Sequence, residues 1–340
     1  MKRRRALAAL ALLPLAAAPA PARSVAATKP QELKLSTAVG PAFALGKAGE
    51  RWARLVGEQS AGRIAITTYP GATLAQRDPA RELVALRDGA ADLAVGSSLA
   101  WSTQSNELAI VGLPWLAPTP SRLDALLSGP VRDGLAAALE RSGVAALAFA
   151  PLGHRDLATT SRAIHAPADL AGMRIRAPGF PLLVDLYTAL GARPTTLSFA
   201  ESQTAMKSGA LDAQDGTPAA FAAARLDAVG VRHVVVWGAV AEAAVFAVNR
   251  RVWEGWDEAD RALVRTAAQE AARELVVRTV QENEAALVEL RNRGMTVTLM
   301  TPAGHAAFAA AARDVYDKWA ALAGADLVRA AEAAVRSAPP

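Results

Sequence analysis

One short pattern occurs twice in this chain of 340 residues, and each time a helix ends at a glycine and an aspartate three residues later begins a short apolar strand. The two copies are RDGAAD, residues 87–92, and KSGALD, residues 207–212. Glycine at the end of a helix is a common stop signal. Strands that alternate with helices are typical of α/β units with parallel pairing. The repeat is too short to demonstrate a duplication, but it favours two similar lobes over one large sheet.

Signals for other helices and strands agree with this α/β pattern. Asp78-Pro79 is a typical helix start, and Ser198 to Glu201 form a capping box. The periodicity predicts strands at 33–37, 62–70, 91–95, 144–151, 211–214 and 295–299, and helices at 44–59, 80–87, 259 to about 291, 303–323 and 327–336. The helix from residue 259 is long enough to brace both lobes, and two packed helices are the alternative.

The N-terminus resembles a secretory signal peptide. A basic start, MKRRR, precedes a short apolar run that prolines interrupt, and Ala-x-Ala exits predict cleavage near residue 22 or 27. The run is too short for a membrane helix. We therefore expect export, with residues 1–27 as the signal peptide and the periplasm as the location.

Composition excludes several classes of protein. The net charge of +5 falls to about +1 without the four basic residues at positions 2–5, and no basic stripe of the kind that nucleic acid requires is present. The chain contains no cysteine, which excludes disulfides and a lipid-anchoring thiol. About 310 residues after the signal correspond to two domains.

The sequence shows no motif that assembles a nucleophile, a base and oxyanion donors into a catalytic site. The four histidines have no metal-ligand spacing, and there is no nucleophile elbow, phosphate loop or dinucleotide fingerprint. We therefore expect no metal, no cofactor and no enzymatic activity. Asp92 and Asp212 form a pair only through the repeat, and a structural role at the start of each strand is the favoured interpretation.

Arg176 is the principal candidate for ligand binding. It ends a short predicted strand in which Arg174 shares its face, and Ala-Pro-Gly follows directly. Ligands of open α/β sheets bind beyond such strand ends. A guanidinium can hold a carboxylate with two parallel hydrogen bonds. From position alone, a surface arginine or a structural ion pair is an equally good interpretation.

Three further residues are candidates for ligand contact, and each has a structural role as the alternative. Arg155 follows the strand predicted at 144–151 and is either a second donor or a loop charge. Phe199 begins the capped helix and either stacks on a ligand or fixes that helix to its lobe. Trp101 lies near a predicted strand end, where core packing is the alternative to ligand contact.

In order and spacing, a series of motifs resembles the solute-binding proteins of TRAP transporters, the DctP-like family. The densest part is DLAGMRIRAP, residues 169–178. Further motifs are SAGRI (60–64), DGAADL (88–93), GLPWL (112–116), LGARP (190–194), SFAE (198–201) and SGALDAQ (208–214). The resemblance covers about residues 33–331.

This resemblance implies a two-lobed periplasmic-binding-protein fold of type II character, in which each lobe is a mixed sheet flanked by helices. Crossing strands and a long helix would tie the lobes together. We expect lobe 1 at residues 30–152 and about 241–280, and lobe 2 at 153–240 and about 281–335. The expected protein is a monomer that delivers an organic-acid anion to a TRAP membrane permease driven by an ion gradient.

The resemblance also assigns roles to residues of the cleft. Arg176 corresponds to the family's carboxylate-binding arginine, Arg155 to a second ligand arginine and Phe199 to a pocket aromatic. Ser97 and Ser98 correspond to a ligand-facing turn. Gly216 stands where the family often has a ligand-binding asparagine, so it offers only its backbone. The small, uncharged turn argues against a heavily hydroxylated sugar acid, and leaves a dicarboxylate, a keto acid or an aromatic acid.

Two other functions remain as alternatives. A receptor of an ATP-driven uptake system would have a similar two-lobed shape. A periplasmic lyase or hydrolase acting on an organic acid would convert the acid that it binds.

Overall fold

The computed structural model describes residues 29–339, so the predicted signal peptide lies outside the described residues. The strands are β1 (Gln31–Thr37), β2 (Ile64–Tyr69), β3 (Leu93–Ser97), β4 (Val144–Thr159), β5 (Arg174–Ala177), β6 (Arg193–Thr196), β7 (Ala213–Gly216), β8 (His233–Asn249) and β9 (Thr296–Leu299). The helices are α1 (Ala44–Gln59), α2 (Glu82–Arg87), α3 (Ser98–Trp101), α4 (Pro120–Leu126), α5 (Gly129–Arg141), α6 (Pro181–Ala189), α7 (Phe199–Lys207), α8 (Pro218–Ala223), α9 (Arg250–Gly255), α10 (Glu258–Asn292), α11 (Pro302–Ala311), α12 (Arg313–Ala323) and α13 (Ala325–Ser337). Short 3₁₀ helices lie at Thr73–Ala75, Pro79–Arg81, Asn106–Gly112, Pro167–Leu170 and Leu226–Val229.

Two parallel groups of strands form the two halves of the fold. In the first half β1 pairs with β2 and β3, and in the second half β5 pairs with β6 and β7. The long antiparallel strands β4 and β8 lie between these groups and continue into both, giving the order β2-β1-β3-β8-β4-β7-β5-β6 with β9 beside β8. Hydrogen bonding is therefore continuous across the lobes. The expected two-lobed α/β fold with crossing strands is confirmed.

The repeated sequence pattern forms the same structure in both halves. The Asp92 carboxylate accepts a hydrogen bond from the backbone N–H of Lys34 at 2.8 Å, and Asp212 accepts one from the N–H of Arg174 at 2.9 Å. In each copy the aspartate N–H also donates to the carbonyl of that same partner residue. Each aspartate thus joins the start of its strand to the neighbouring parallel strand, as the structural interpretation predicted.

The strand predicted at 144–151 is longer than expected. Strand β4 continues to Thr159, with irregularities in its pairing at Pro151/Gly153 and Arg155/Leu157. A bulge accommodates Pro151, which has no N–H to donate, and Gly153, which adopts a φ of +90°. Arg155 consequently lies within a strand, and the prediction that it follows the end of that strand was wrong.

Helix α10 joins the two halves, as predicted for the segment from residue 259. Its N-terminal part packs on α1, where Trp52 Nε1 donates to the Val264 carbonyl at 3.1 Å and Arg51 pairs with Glu270 and Glu274. Farther along, the Asn283 side chain accepts a hydrogen bond from the first turn of α8. The helix therefore contacts both parallel strand groups through their flanking helices.

The C-terminal helices contact the first half as well as the second. Helix α12 packs on the 3₁₀ helix Asn106–Gly112 and on α6, and α13 packs on α4 and α5. The expected assignment of residues 281–335 to lobe 2 did not include these contacts. The residue boundaries of the lobes stay a prediction. Within residues 29–339 no helix is both long and apolar enough to cross a membrane.

Candidate binding site

Arg176 is buried near the end of β5, with only 7% of its surface exposed. Its backbone lies between Thr195 of β6 and Gln214 of β7. The guanidinium donates from Nε to the Leu197 carbonyl at 2.9 Å and lies over the Phe199 ring, 5.9 Å from its centre. The strand and the capped helix α7 thus hold this side chain in place.

In the described part of the chain, Arg176 is not neutralised by a carboxylate, as an arginine in a structural ion pair would be. Burial and the nearby charge of Arg155 lower the pKa of Arg176 to about 10, while Asp215 acts in the opposite direction. Within residues 29–339 the Arg176 guanidinium forms no ion pair with a carboxylate. A buried cation without an anionic partner is costly. An anionic ligand would remove much of that cost.

Arg155, in contrast, is bound by two carboxylates. Its Nε donates to Asp215 Oδ1 at 2.6 Å, with a second bond from Nη2, and its Nη1 donates to Glu242 Oε2 at 3.0 Å. Burial lowers the pKa of Arg155, but the charges of Asp215 and Glu242 outweigh it and raise the pKa above the ordinary value. Arg155 is therefore neutralised by the protein itself.

This ion pair belongs to a network that connects the two halves. The Tyr187 hydroxyl donates to Asp215 Oδ2 at 2.7 Å, from helix α6 to strand β7. At the other end, the Ser97 hydroxyl at the end of β3 donates to Glu242 Oε1. The order Ser97–Glu242–Arg155–Asp215–Tyr187 thus runs from the first half, through the two crossing strands, to the second half.

The structure brings some of the predicted site residues together. Arg176 and Phe199 are in contact, Arg155 is close enough to change the pKa of Arg176, and Ser97 joins the network of Arg155. The ligand contacts of all these residues stay predictions.

The other predicted residues have structural surroundings. Ser98 is fully buried, and its hydroxyl accepts a hydrogen bond from the Ala243 N–H at 3.0 Å. Trp101 is also fully buried and packs on Gly96, where a Cβ atom would lie 2.1 Å from the indole ring. Gly216 is packed in the same way by Phe221. We therefore treat these residues as supports of the site, and their ligand contacts as an untested prediction.

The sequence interpretation missed three residues of the network, namely Asp215, Glu242 and Tyr187. Glu242 carried a signal, because it is the only acidic or basic residue apart from His233 within the seventeen residues of β8. A lone carboxylate in a strand that is buried on both faces needs a cation close by. Tyr187 gave no such signal, since it occupies an ordinary apolar position of α6.

Metal binding finds no support in the arrangement of the described side chains. Within residues 29–339 no group of three or more His, Cys, Asp or Glu side chains is positioned to hold a metal ion. The expectation that the protein uses no cofactor stays a prediction.

The two-lobed α/β fold with crossing strands, with a buried arginine that has no carboxylate partner within residues 29–339, is the architecture expected of a solute-binding protein. Residues 35–322 match the family model DctP, described as bacterial extracellular solute-binding protein, family 7. The chain belongs to this family, as its motifs predicted.

Solved structures agree with this membership. A TRAP periplasmic solute-binding protein from Ralstonia eutropha H16, with bound (S)-2-acetolactate, is 43% identical, with a TM-score of 0.85 over 90% of this chain and 98% of that one. Another, from Ochrobactrum anthropi, is 26% identical, with a TM-score of 0.82 over 91% of this chain and 95% of that one. The chain therefore has the fold of a TRAP solute-binding protein.

Two relatives are similar to this chain in sequence. The C4-dicarboxylate-binding periplasmic protein DctP of Rhodobacter capsulatus is 26% identical over 91% of this chain and 92% of that protein. An uncharacterized protein from Sinorhizobium fredii is 33% identical over 66% of this chain, and the match spans 41% of that protein's length. The family and the fold are those of transport receptors.

Proposed function

We propose that this protein is a periplasmic receptor that captures an organic-acid anion between its lobes and delivers it to a TRAP membrane permease. Arg176 holds the carboxylate of the acid. The observation that carries this proposal is the contrast between the two arginines of the site. Arg155 already has two carboxylate partners, whereas Arg176 is also largely buried and has none within residues 29–339.

The geometry around Arg176 suits a bound carboxylate. Its Nε bond to Leu197 and the Phe199 ring fix the plane of the guanidinium, and the two Nη groups, which form no hydrogen bond within residues 29–339, can donate to a ligand. Arg155 is a positioning residue in this proposal, because its positive charge is already neutralised by ion pairs with Asp215 and Glu242. The bound acetolactate of the Ralstonia protein supports an organic acid as the ligand.

The test is the loss of acid binding in Arg176→Ala. Removing the site arginine that has no carboxylate partner within residues 29–339 leaves the bound carboxylate unpaired, which should cost about 3–5 kcal/mol of binding free energy. Arg176→Lys should also weaken binding, because a lysine cannot make the bidentate contact. Calorimetry with acids found in a thermal-shift screen of mono-, di- and aromatic carboxylates measures both effects.

A matched control lies two residues earlier on the same strand. Arg174 is exposed and pairs with Asp212, so Arg174→Ala should leave acid binding unchanged. If Arg176→Ala bound the acid with wild-type affinity, the assignment of the site would be wrong. Conversion of the acid, followed by NMR during the same incubation, would instead favour an enzyme.

Export is the remaining part of the proposal. The family is extracellular by its description, and the N-terminal segment has the features of a signal peptide. The intact mass of protein recovered from the periplasm should correspond to cleavage near residue 22 or 27. Full-length protein retained in the cytoplasm would contradict this.

A further inference from the structure

The charged groups of the site balance one another before any ligand binds. Arg155 and Arg176 contribute two positive charges, and Asp215 and Glu242 contribute two negative ones. All four are largely buried, and both carboxylate side chains are less than a tenth exposed. Asp156 lies beside Arg155 in β4 and can only add negative charge.

We propose that this balance makes the site selective for acids with a single carboxylate, and that Glu242 is the residue that rejects a second one. The proposal rests on the function proposed above for Arg176. A first carboxylate pairs with Arg176. A second carboxylate on the same small acid would need another free cation, and Arg155 is occupied on both sides.

The hydrogen-bonding groups of the network lead to the same selectivity. The Ser97 and Tyr187 hydroxyls and the Arg155 guanidinium all direct their donors to Glu242 or Asp215. The carboxylate oxygens of Glu242 and Asp215 can accept further hydrogen bonds, whereas these donors are already engaged. A hydroxyl group of the acid can donate to such an oxygen, whereas a carboxylate can only repel it. The favoured ligand is a monocarboxylic acid that carries a hydroxyl group.

Two acids of the same length test this selectivity directly. (S)-Malate is (S)-2-hydroxybutanoate with the terminal methyl group replaced by a carboxylate. Like charges brought together in a buried site cost several kcal/mol, so we expect the wild-type protein to bind 2-hydroxybutanoate at least about 100-fold more tightly than malate by calorimetry.

Glu242→Gln keeps the size of the side chain and removes its charge. Arg155 then has one carboxylate partner and attracts the second carboxylate of malate. The preference for 2-hydroxybutanoate should therefore fall by at least about tenfold. Glu254→Gln, which neutralises an exposed glutamate of α9 paired with Arg250, is the control and should keep the wild-type ratio. Circular dichroism checks the fold of each variant, and if Glu242→Gln does not fold, Asp215→Asn tests the charge balance by removing the other carboxylate partner of Arg155.

The outcomes separate this inference from the proposed function. Malate bound as tightly as 2-hydroxybutanoate by the wild-type protein would overturn the selectivity and leave the receptor role intact. An unchanged ratio in folded Glu242→Gln would overturn the role of Glu242. Wild-type protein that is folded and binds no carboxylic acid of the screen would overturn the proposed function and the selectivity together.

Discussion

Glu82 is a carboxyl group buried completely within the first half of the fold. Its Oε1 accepts a hydrogen bond from the Ser36 hydroxyl at 2.7 Å, and Oε2 has no hydrogen-bond partner within residues 29–339. Burial raises the pKa of Glu82 to about 8, although the hydrogen bond from Ser36 acts in the opposite direction. At neutral pH the folded protein therefore keeps this group protonated.

Glu82→Gln should reduce the dependence of stability on pH. Between an unfolded-state pKa of 4.5 and the folded-state pKa of about 8, only the folded state holds the proton. The free energy of unfolding therefore falls as pH rises through this window, by up to about 1.4 kcal/mol per pH unit. The glutamine variant lacks this contribution, and urea unfolding at several pH values measures the difference.

Comparing the pH dependence of the wild type with that of Glu82→Gln isolates the effect of Glu82 from that of other buried carboxyl groups. Burial also raises the pKa of Asp156, to about 7, but Asp156 is present in both proteins and its effect cancels. Glu284→Gln changes an exposed glutamate of α10 and should follow the wild-type curve. Parallel curves for the wild type and Glu82→Gln would show that Glu82 is ionised in the folded state.

At the level of elements, the repeated glycine–aspartate unit fixes the start of β3 and of β7. Asp92→Ala would leave the Lys34 N–H without its protein acceptor, and we expect a loss of about 1 kcal/mol in the free energy of unfolding. Asp88→Ala, four residues earlier, removes an exposed pair with Arg87 and should change stability by less than about 0.5 kcal/mol. Equal effects of the two substitutions in urea unfolding would contradict the role of Asp92.

Capping and periodicity signals in the sequence correctly predicted helices whose ends are set by neighbouring residues. The capping box of Ser198 and Glu201 is present with both of its hydrogen bonds, and α10 begins and ends within one residue of the predicted bounds. The second half of β4 was missed, because Pro151 and Gly153 are stop signals and the pairing with β8 that overrides them comes from residues about 90 positions away.

The binding site also combines features that local sequence predicts with features that depend on distant residues. Arg176 could be predicted because a strand end and a motif mark it. The pairing of Arg155 with Asp215 and Glu242 could not be predicted, because it depends on bulges in β4 that bring diagonal neighbours of three strands together. The sequence therefore indicated two ligand arginines, and the structure contains one arginine with protein partners and one without a carboxylate partner within residues 29–339.

For the whole molecule, β4, β8 and α10 are the segments that run through both halves. Arg176 is 7% exposed in this arrangement. In the proposed function a carboxylate has to reach its guanidinium, and we therefore expect the lobes to separate before an acid enters. We predict that the ligand-free protein populates a more open state and that the acid shifts the population towards the closed one.

Small-angle X-ray scattering can measure this shift. We expect the radius of gyration of the wild-type protein to decrease when the tightest acid of the screen is added at saturation. Arg176→Ala should keep its larger radius at the same acid concentration, because the contact that favours closure is missing. Arg174→Ala should respond like the wild type, since its partner Asp212 lies on the surface of one lobe. If the wild type bound the acid by calorimetry and its scattering did not change, the acid would reach Arg176 without separation of the lobes, and the route of entry would have to lie within the closed form.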